Sequence, residues 1–150
     1  MAVQYPILAI DYGEKHFGLA ISDSRGIIAS PLEVLSLTKN KTREDIIEEI
    51  LELAREEKAK SLLIGIPQAF TDSQSETVKK IEKFIVALKE RTSLEIRTYD
   101  ESFSTIQAQN MLISSGQNTK SSRKKIDKIA ATVFLQEFLN SNSENNEKNF

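Results

Sequence analysis

The sequence contains no cysteine and only one histidine, His16. Without cysteine the chain forms neither a disulfide nor a thiolate-ligated metal site, and a single histidine cannot build an all-histidine metal site. A metal ion held by this chain would therefore be bound by carboxylates. Carboxylate ligands favour Mg²⁺ or Mn²⁺ over Zn²⁺.

Long apolar runs are also missing. No segment approaches the roughly 20 apolar residues that a membrane-spanning helix needs, and the opening residues MAVQYPILAIDYG reach an acidic side chain too early for a signal peptide. We therefore expect a cytoplasmic protein without membrane contact. The length of 150 residues predicts one domain, placed at 1–140, and a polar tail at 141–150 that we expect to be disordered.

The overall charge is slightly acidic. The chain has 22 Asp and Glu residues against 20 Lys and Arg residues, a formal net charge of −2. This balance argues against bulk affinity for nucleic acid, but it leaves room for a local basic patch. The distribution of charge along the chain therefore says more about partners than the sum does.

Three apolar segments begin the chain and are joined by short connections that contain glycine. They lie within Tyr5–Gly13, His16–Asp23 and Gly26–Leu37. This spacing is typical of strands in antiparallel hairpins. Pro31 in the third segment indicates an edge strand or a β-bulge, because proline cannot donate a backbone hydrogen bond to a neighbouring strand.

Helical and strand patterns then alternate along the chain. Thr42 and Asp45 form a capping-box pattern at the start of the first helix. The later predicted ranges are Ser61–Pro67 for a strand, 68–76 for a polar loop, Thr77–Arg91 for a helix, Leu94–Glu101 for a strand, Ser104–Ser114 for a helix and Ser122–Asn140 for the last helix. Three hairpin strands followed by two parallel βα units predict an α/β fold, a five-stranded mixed sheet flanked by helices.

Acidic residues stand at the ends of two predicted strands. Asp11 closes the first strand, and Asp100 with Glu101 closes the fifth. Sites in open α/β sheets form outside the carboxyl ends of the strands. If the first and fifth strands are parallel, these acids therefore share one edge of the sheet. The alternative is that they are turn formers or helix N-caps.

A third acid, Asp127, falls on the apolar face of the last predicted helix. At about 100° per residue it lies in the middle of an apolar stripe and not at its margin. The apolar members of the stripe are Ala130, Ala131, Phe134 and Phe138. A buried carboxylate needs a cation, a hydrogen-bond network or a raised pKa. A local salt bridge to Arg123 or Lys124 would also cover it.

Three carboxylates of this kind suit a magnesium site. Asp11, Glu101 and Asp127 offer oxygen ligands, which Mg²⁺ prefers together with phosphate co-ligands. Two such ions about 3.5–4 Å apart can align a water molecule against a phosphodiester. The nearby basic residues are Lys120, Arg123, Lys124, Lys125 and Lys128 around Asp127, and Lys15 and His16 after Asp11. They favour a polyanionic substrate, although a solvated helix start and a surface hairpin would show the same residues.

Four segments, in order, resemble the motifs of the YqgF/RuvX family. They are LAIDYGEKHFGLAISD, LLIGIP, YDESFST and IDKIAATVFLQEFL, and they span about residues 6–140. The resemblance implies a ribonuclease H-like fold and a nuclease that matures the 5′ end of pre-16S ribosomal RNA. It also implies that Asp11, Glu101 and Asp127 are the catalytic, metal-binding acids and that Asp100 supports them.

Three departures from these motifs leave other functions open. Ser102 stands where the family has arginine, His16 replaces a basic residue, and QAFTDS lacks the usual glycine. Ser102 and Thr105 are further candidate substrate contacts. One alternative is a catalytically weak RNA-binding factor.

The resemblance leaves two further functions open. The first is a Holliday junction resolvase on branched DNA, which would need a symmetric dimer. The second is an actin-like ATPase, whose first phosphate loop is similar to D-x-G-x-K-x-x-G, but that architecture needs two such domains. We expect a monomer or a weak homodimer.

Overall fold

The computed structural model of this chain describes residues 3–66, 72–100 and 129–142, and for 72–74 it describes the backbone alone. The strands are β1 (Ile7–Asp11), β2 (His16–Ser22), β3 (Ala29–Ser36), β4 (Ser61–Ile66) and β5 (Glu95–Asp100), and the helices are α1 (Arg43–Glu56) and α2 (Asp72–Arg91). Residues 129–142 form a further helix, α3. The predicted order of elements is confirmed from β1 to β5, and the helix predicted at Ser104–Ser114 lies outside the described residues.

The five strands form one mixed sheet in the order β3-β2-β1-β4-β5. The pairs β1–β2 and β2–β3 are antiparallel, and the pairs β1–β4 and β4–β5 are parallel. Consequently β1 is the central strand, and the carboxyl ends of β1, β4 and β5 meet at one edge of the sheet. The predicted mixed sheet of hairpin strands and parallel βα units is confirmed.

Pro31 occupies the position that its chemistry predicts. It lies in β3, an edge strand, where the pairing with β2 shifts register between Leu19 and Ala20. Leu19 pairs with Glu33 and Ala20 pairs with Pro31, so Leu32 is the extra residue of a bulge. An edge strand tolerates proline because one of its sides needs no ladder hydrogen bonds.

The capping box at the start of α1 is also confirmed. The Thr42 hydroxyl oxygen accepts a hydrogen bond from the backbone N–H of Asp45 at 3.3 Å, and the Asp45 carboxylate accepts one from the backbone N–H of Thr42 at 2.9 Å. These two bonds satisfy donors that the first turn of a helix otherwise leaves unpaired. The carboxylate also lies at the positive end of the helix dipole, which stabilises it further.

Helix α2 begins earlier than its polar start suggested. It starts at Asp72 rather than Thr77, so the prediction of a loop was wrong for residues 72–76, while residues 68–71 lie outside the described residues. An acidic residue in the first turn complements the helix dipole, and Glu76 precedes Lys80 by one turn, a favourable spacing. Helical periodicity therefore outweighs the polar composition of this stretch.

The core consists of two apolar layers, one on each face of the sheet. Leu8 and Ile10 of β1 pack in the layer under α1 and α2, whereas Ile7 and Ala9 pack in the layer under α3. Side chains alternate between faces along a strand, so a strand buried on both faces reads as a continuous apolar run. This is why ILAI at the start of β1 shows no polar alternation.

The C-terminal helix continues slightly further than predicted. Helix α3 extends through residue 142, two residues past the predicted end at Asn140, while 143–150 lies outside the described residues. The single domain at 1–140 stays a prediction. Among the described helices, none combines the length and the apolar character that crossing a membrane requires.

Candidate active site

Asp11 ends the central strand in a buried position. It is 8% exposed, and it is the one charged residue in the buried class within the described ranges. A carboxylate removed from water is costly unless cations or hydrogen-bond donors surround it. Such a residue at the carboxyl end of a central strand is therefore a strong candidate for function.

The side chain of Asp11 lies on the α3 face of the sheet. Ile7 and Ala9 belong to the apolar layer under α3, and Asp11 follows Ala9 by two residues, so the alternation along the strand gives it the same direction. The last helix, whose face carries the apolar stripe of the sequence analysis, therefore covers the same side of the sheet as this carboxylate.

Glycines flank Asp11 on both neighbouring strands. Gly18 of β2 is its antiparallel partner. Ile10 is in register with Ile64 of β4, so the next residues, Asp11 and Gly65, stand at the same level. Neither glycine places a side chain beside the carboxylate, so the two adjacent strands leave the space next to Asp11 free of their own side chains.

A tight turn connects Asp11 to β2. Gly13 is required there because a Cβ atom at this position would clash with the backbone carbonyl oxygen of His16. Lys80 of α2 donates a hydrogen bond to the Glu14 carboxylate at 3.0 Å. This bond, and the charge of Lys80, hold the pKa of Glu14 below its ordinary value of 4.5. The turn is thereby tied to helix α2.

His16 and Lys15 lie at the same edge of the sheet as Asp11. His16 precedes Gly18 by two residues and so shares the face of Asp11. Its Nδ1 lies 2.7 Å from the Ser36 hydroxyl oxygen on β3. Lys15 is exposed, and its carbonyl oxygen accepts a hydrogen bond from the backbone N–H of Leu37 at 2.8 Å. Both candidate substrate contacts are thus near the candidate acid.

Tyr99 and Asp100 at the end of β5 point to opposite faces. Tyr99 stacks on Phe134 of α3 with ring centroids 6.0 Å apart, and it pairs with Gly65, so it stands level with Asp11 two strands away. Asp100 is exposed and by alternation faces the side of α1 and α2. The predicted role of Asp100 in supporting the metal ligands stays a prediction. Its side chain lies on the opposite face of the sheet from that of Asp11.

A hydrogen bond joins β5 to α3. The Tyr99 hydroxyl donates to the Glu137 carboxylate at 3.0 Å. Burial raises the pKa of Tyr99 to about 12, and the hydrogen bond and negative charge of Glu137 and the charge of Asp100 act in the same direction. From the sequence alone Tyr99 had no assigned role, although alternation along β5 placed it on the same face as Arg97.

Most predicted site residues lie outside the described residues. They are Glu101, Ser102, Thr105, Lys120, Arg123, Lys124, Lys125, Asp127 and Lys128. Accordingly, the part of the chain that the structure describes contains no group of three histidine or acidic residues placed to hold one metal ion. The described part of the predicted site consists of Asp11, Lys15, His16 and Asp100.

Helix α3 is fixed to the sheet by apolar and polar contacts. Phe134, Leu135 and Leu139 are fully buried against it. The Gln136 side chain accepts a hydrogen bond from the backbone N–H of Ala29 at 2.9 Å and donates one to the carbonyl oxygen of Ile27 at 2.9 Å. The role of Gln136 could not be predicted from the sequence, because a single glutamine on a helix gives no indication of which residues it will contact.

Comparison with proteins of similar sequence gives consistent matches over most of the chain. A relative from Fusobacterium nucleatum is 37% identical over 134 residues, covering 88% of this chain and 94% of that protein. One from Maridesulfovibrio salexigens is 34% identical over 133 residues, covering 89% and 96%. Both carry the name "Putative pre-16S rRNA nuclease".

Two solved structures share the fold of this chain. The RuvC protein of T. thermophilus in complex with a Holliday junction substrate gives a TM-score of 0.56 at 16% identity, covering 91% of this chain and 95% of that one. The Fowlpox virus resolvase with Holliday junction DNA gives a TM-score of 0.53 at 16% identity, covering 91% and 98%. The fold is ribonuclease H-like, as the resemblance implied.

The family itself is identified by a match over nearly the whole sequence. The model described as "RuvX: Holliday junction resolvase" matches residues 5–141. That range contains all five strands and Asp11 at the end of the central one. This chain belongs to the RuvX family.

Proposed function

We propose that this chain is a metal-dependent nuclease that hydrolyses RNA phosphodiesters and matures the 5′ end of pre-16S ribosomal RNA in the cytoplasm. The observation that carries the proposal is Asp11, a buried carboxylate at the carboxyl end of the central strand, between two glycines. The names of the similar proteins from Fusobacterium nucleatum and Maridesulfovibrio salexigens support the choice of RNA.

Asp11, Glu101 and Asp127 would hold Mg²⁺ or Mn²⁺. Carboxylate oxygens are the ligands that these ions prefer, and a chain without cysteine and with one histidine offers few others. The buried position of Asp11 fits this role, because a cation would compensate for its removal from water. When bound, such ions activate a water molecule and stabilise the negative charge on the leaving oxygen.

The residues of the chain would then bind and orient the substrate. Asp11 would act as the shared ligand, Glu101 as a second ligand, and Asp127 as a ligand or as the group that orients the attacking water. The water oxygen attacks phosphorus and the bond to the 3′ oxygen breaks, which leaves 5′-phosphate and 3′-hydroxyl ends. Lys15 and His16, at the same edge as Asp11, would contact phosphates, together with Ser102, Thr105 and the basic residues around Asp127.

The test is cleavage of an RNA that spans the mature 5′ end of 16S ribosomal RNA, with Mg²⁺ or Mn²⁺. The Asp11→Asn variant should lose cleavage by at least about a hundredfold, because removal of a metal ligand removes the charge that holds the ion. Glu33→Gln, an exposed acid on β3, is the matched control and should cleave normally. Equal cleavage by Asp11→Asn would show that the site is assigned wrongly, and RNA binding without turnover would favour the RNA-binding factor.

Branched DNA is the second candidate substrate, and the description of the matching family model favours it. Resolution of a four-way junction requires two active sites acting on opposite strands, hence a symmetric dimer. The same protein should therefore be tested on a four-way junction and weighed in solution. A monomer that cleaves the RNA but not the junction would exclude this alternative.

A further inference from the structure

We infer that a pocket between the C-terminal ends of α1 and α2 binds a nucleoside phosphate. The cavity has a volume of about 370 Å³ and lies where β4 and β5 begin. Asp11 lies at the other end of the sheet, where β1 ends. The pocket is therefore a second site, and its existence does not depend on the proposed nuclease activity.

Three cations converge on this pocket. Arg55 and Lys58 come from the end of α1, and Arg91 comes from the end of α2. Thr92 and Ser93 also line the cavity, and none of the residues lining it is acidic. A protein with a net charge of −2 thus gathers three positive charges around one cavity, a setting that suits a phosphate group.

The backbone at Lys58 is unusual for a lysine. Its φ is 57°, the left-handed conformation, and its N–H donates to the carbonyl oxygen of Arg55 at 3.1 Å to close the helix. Glycine is the residue that this position after a helix favours, because it has no Cβ to strain. A lysine at this position departs from the local preference, and a ligand for its side chain would account for the departure.

The cations remain available to an incoming anion. Arg91 contacts the Glu48 carboxylate at 3.5 Å, and the two side chains are 39% and 75% exposed. An exposed pair at that distance is weak, so a phosphate can displace it. In the described part of the chain, neither Arg55 nor Lys58 forms an ion pair with a carboxylate. Thr92 accepts a hydrogen bond from the backbone N–H of Leu94 at 3.2 Å, which leaves its own O–H able to donate.

The apolar residues that line the cavity indicate the class of ligand. They are Leu51, Ala54, Ala59 and Leu94. A neighbouring groove shares Arg55 and Arg91 but is bordered by the acids Glu48 and Glu52, which repel a phosphate. An occupant with an apolar or aromatic part and one phosphate therefore fits the first cavity best. A free nucleotide and one nucleotide unit of an RNA chain share this chemistry.

The common explanation for these cations is that they stabilise helix C-termini. Basic residues in the last turn complement the negative end of the helix dipole, and Arg55 and Arg91 both lie there. That explanation does not account for Lys58, which lies beyond the end of α1 in a conformation that favours glycine. Lys58→Gly consequently separates the two roles, because it should keep or raise stability while it removes a ligand contact.

The experiment is an NMR titration of the full chain in EDTA with AMP, inorganic phosphate and adenosine as probes. AMP should shift the backbone amides of Ala59, Thr92 and Leu94, phosphate should shift them less, and adenosine least. Lys58→Gly and Arg55→Gln should each weaken AMP binding by about tenfold, the loss of one charge-assisted hydrogen bond. The matched control is Lys60→Gln, an exposed cation two residues from Lys58 that does not line the cavity.

A ten-nucleotide uridine RNA, titrated in the same way, distinguishes the two sources of nucleotide. Weaker RNA binding by Lys58→Gly identifies the occupant as part of an RNA chain, and an effect on AMP alone identifies a free nucleotide. The proposal is overturned if AMP leaves the pocket amides unmoved, or if Lys58→Gly binds AMP as tightly as the parent. EDTA suppresses metal-dependent cleavage, so neither result depends on whether the chain is a nuclease.

Discussion

The side-chain oxygen of Gln136 accepts a hydrogen bond from the backbone N–H of Ala29 at 2.9 Å. The amide nitrogen of Gln136 donates to the carbonyl oxygen of Ile27 at 2.9 Å. One side chain on α3 therefore binds both the Ala29 N–H and the Ile27 carbonyl group. The pair lies 107 residues apart in sequence. It fixes the helix that covers the Asp11 face to the hairpin between β2 and β3.

Replacement of Gln136 by alanine should destabilise the protein. The variant leaves the part-buried Ala29 N–H without this partner, whereas water can replace the exposed bond to the Ile27 carbonyl, and we expect the free energy of unfolding to fall by about 0.5–1.5 kcal/mol. Urea unfolding followed by circular dichroism measures the change. Asn140→Ala is the control, because it removes only an exposed bond to Gln136 at 3.1 Å and should change stability little. Equal stability of Gln136→Ala and the parent would contradict this role.

The parent protein should lose stability at alkaline pH because of Tyr99, and the Tyr99→Phe variant should not show this loss. The pKa of Tyr99 is raised from 10.0 to about 12 in the folded protein, so its contribution is fully present below pH 10 and is lost as the pH rises through 12. The parent should therefore lose stability between these values in excess of Tyr99→Phe. Urea unfolding of both proteins at pH 9 and pH 11 measures the difference. A constant difference between the two would mean that Tyr99 does not titrate in this range.

Tyr12→Phe should leave stability unchanged or raise it. Tyr12 is 7% exposed, and its ring packs edge-on against Phe17 and Phe84. Within the described residues its hydroxyl group is buried without a hydrogen-bond partner. Removing an unsatisfied buried hydroxyl avoids its desolvation cost of about 1–3 kcal/mol. Thermal unfolding checks the direction, and a clear loss of stability would show that the hydroxyl has a bound partner.

Tyr99→Phe is the matched comparison for Tyr12→Phe. The chemical change is identical, but the Tyr99 hydroxyl donates to Glu137 at 3.0 Å. At neutral pH we expect Tyr99→Phe to lower the free energy of unfolding by about 0.5–1.5 kcal/mol, the net value of one hydrogen bond. The two substitutions should therefore act in opposite directions. The same sign for both would refute the assignment of one satisfied and one unsatisfied hydroxyl.

Asp100→Asn should affect RNA cleavage much less than Asp11→Asn. Asp100 is exposed and lies on the face of α1 and α2, whereas Asp11 is buried on the face of α3. We expect Asp100→Asn to lower kcat by less than about tenfold, because Asp100 lies on the opposite face of the sheet from Asp11. Single-turnover cleavage under saturating Mn²⁺ compares the variants. A loss as large as that of Asp11→Asn would place Asp100 among the metal ligands.

The local elements could be predicted because their causes are local. Side-chain periodicity predicts the apolar run of β1, and the unpaired N–H groups of the first helical turn explain the capping box of Thr42 and Asp45. The missing N–H of proline explains the edge position of Pro31. The early start of α2 at Asp72 was missed because a polar stretch with helical spacing and a polar loop have similar compositions. The acids of the candidate site were predicted because they interrupt or end apolar patterns, and their role stays a prediction.

Long-range relationships could not be predicted from the same patterns. Strand order and register decide that Asp11 pairs with Gly18 and lies beside Gly65. The packing of α3 against the sheet decides that Gln136 contacts Ala29. A one-residue change in the register of β1 would turn the Asp11 side chain to the other face of the sheet.

The sequence by itself determined where strands and helices form along most of the chain and that Asp11 and Asp100 end two strands, because periodicity and capping act over a few residues. The tertiary structure alone decided that Asp11 is buried on the α3 face between two glycines while Asp100 is exposed on the other. It also decided that Arg55, Lys58 and Arg91 meet around one cavity. The physical reason is that packing, and not local preference, sets which distant segments share a face.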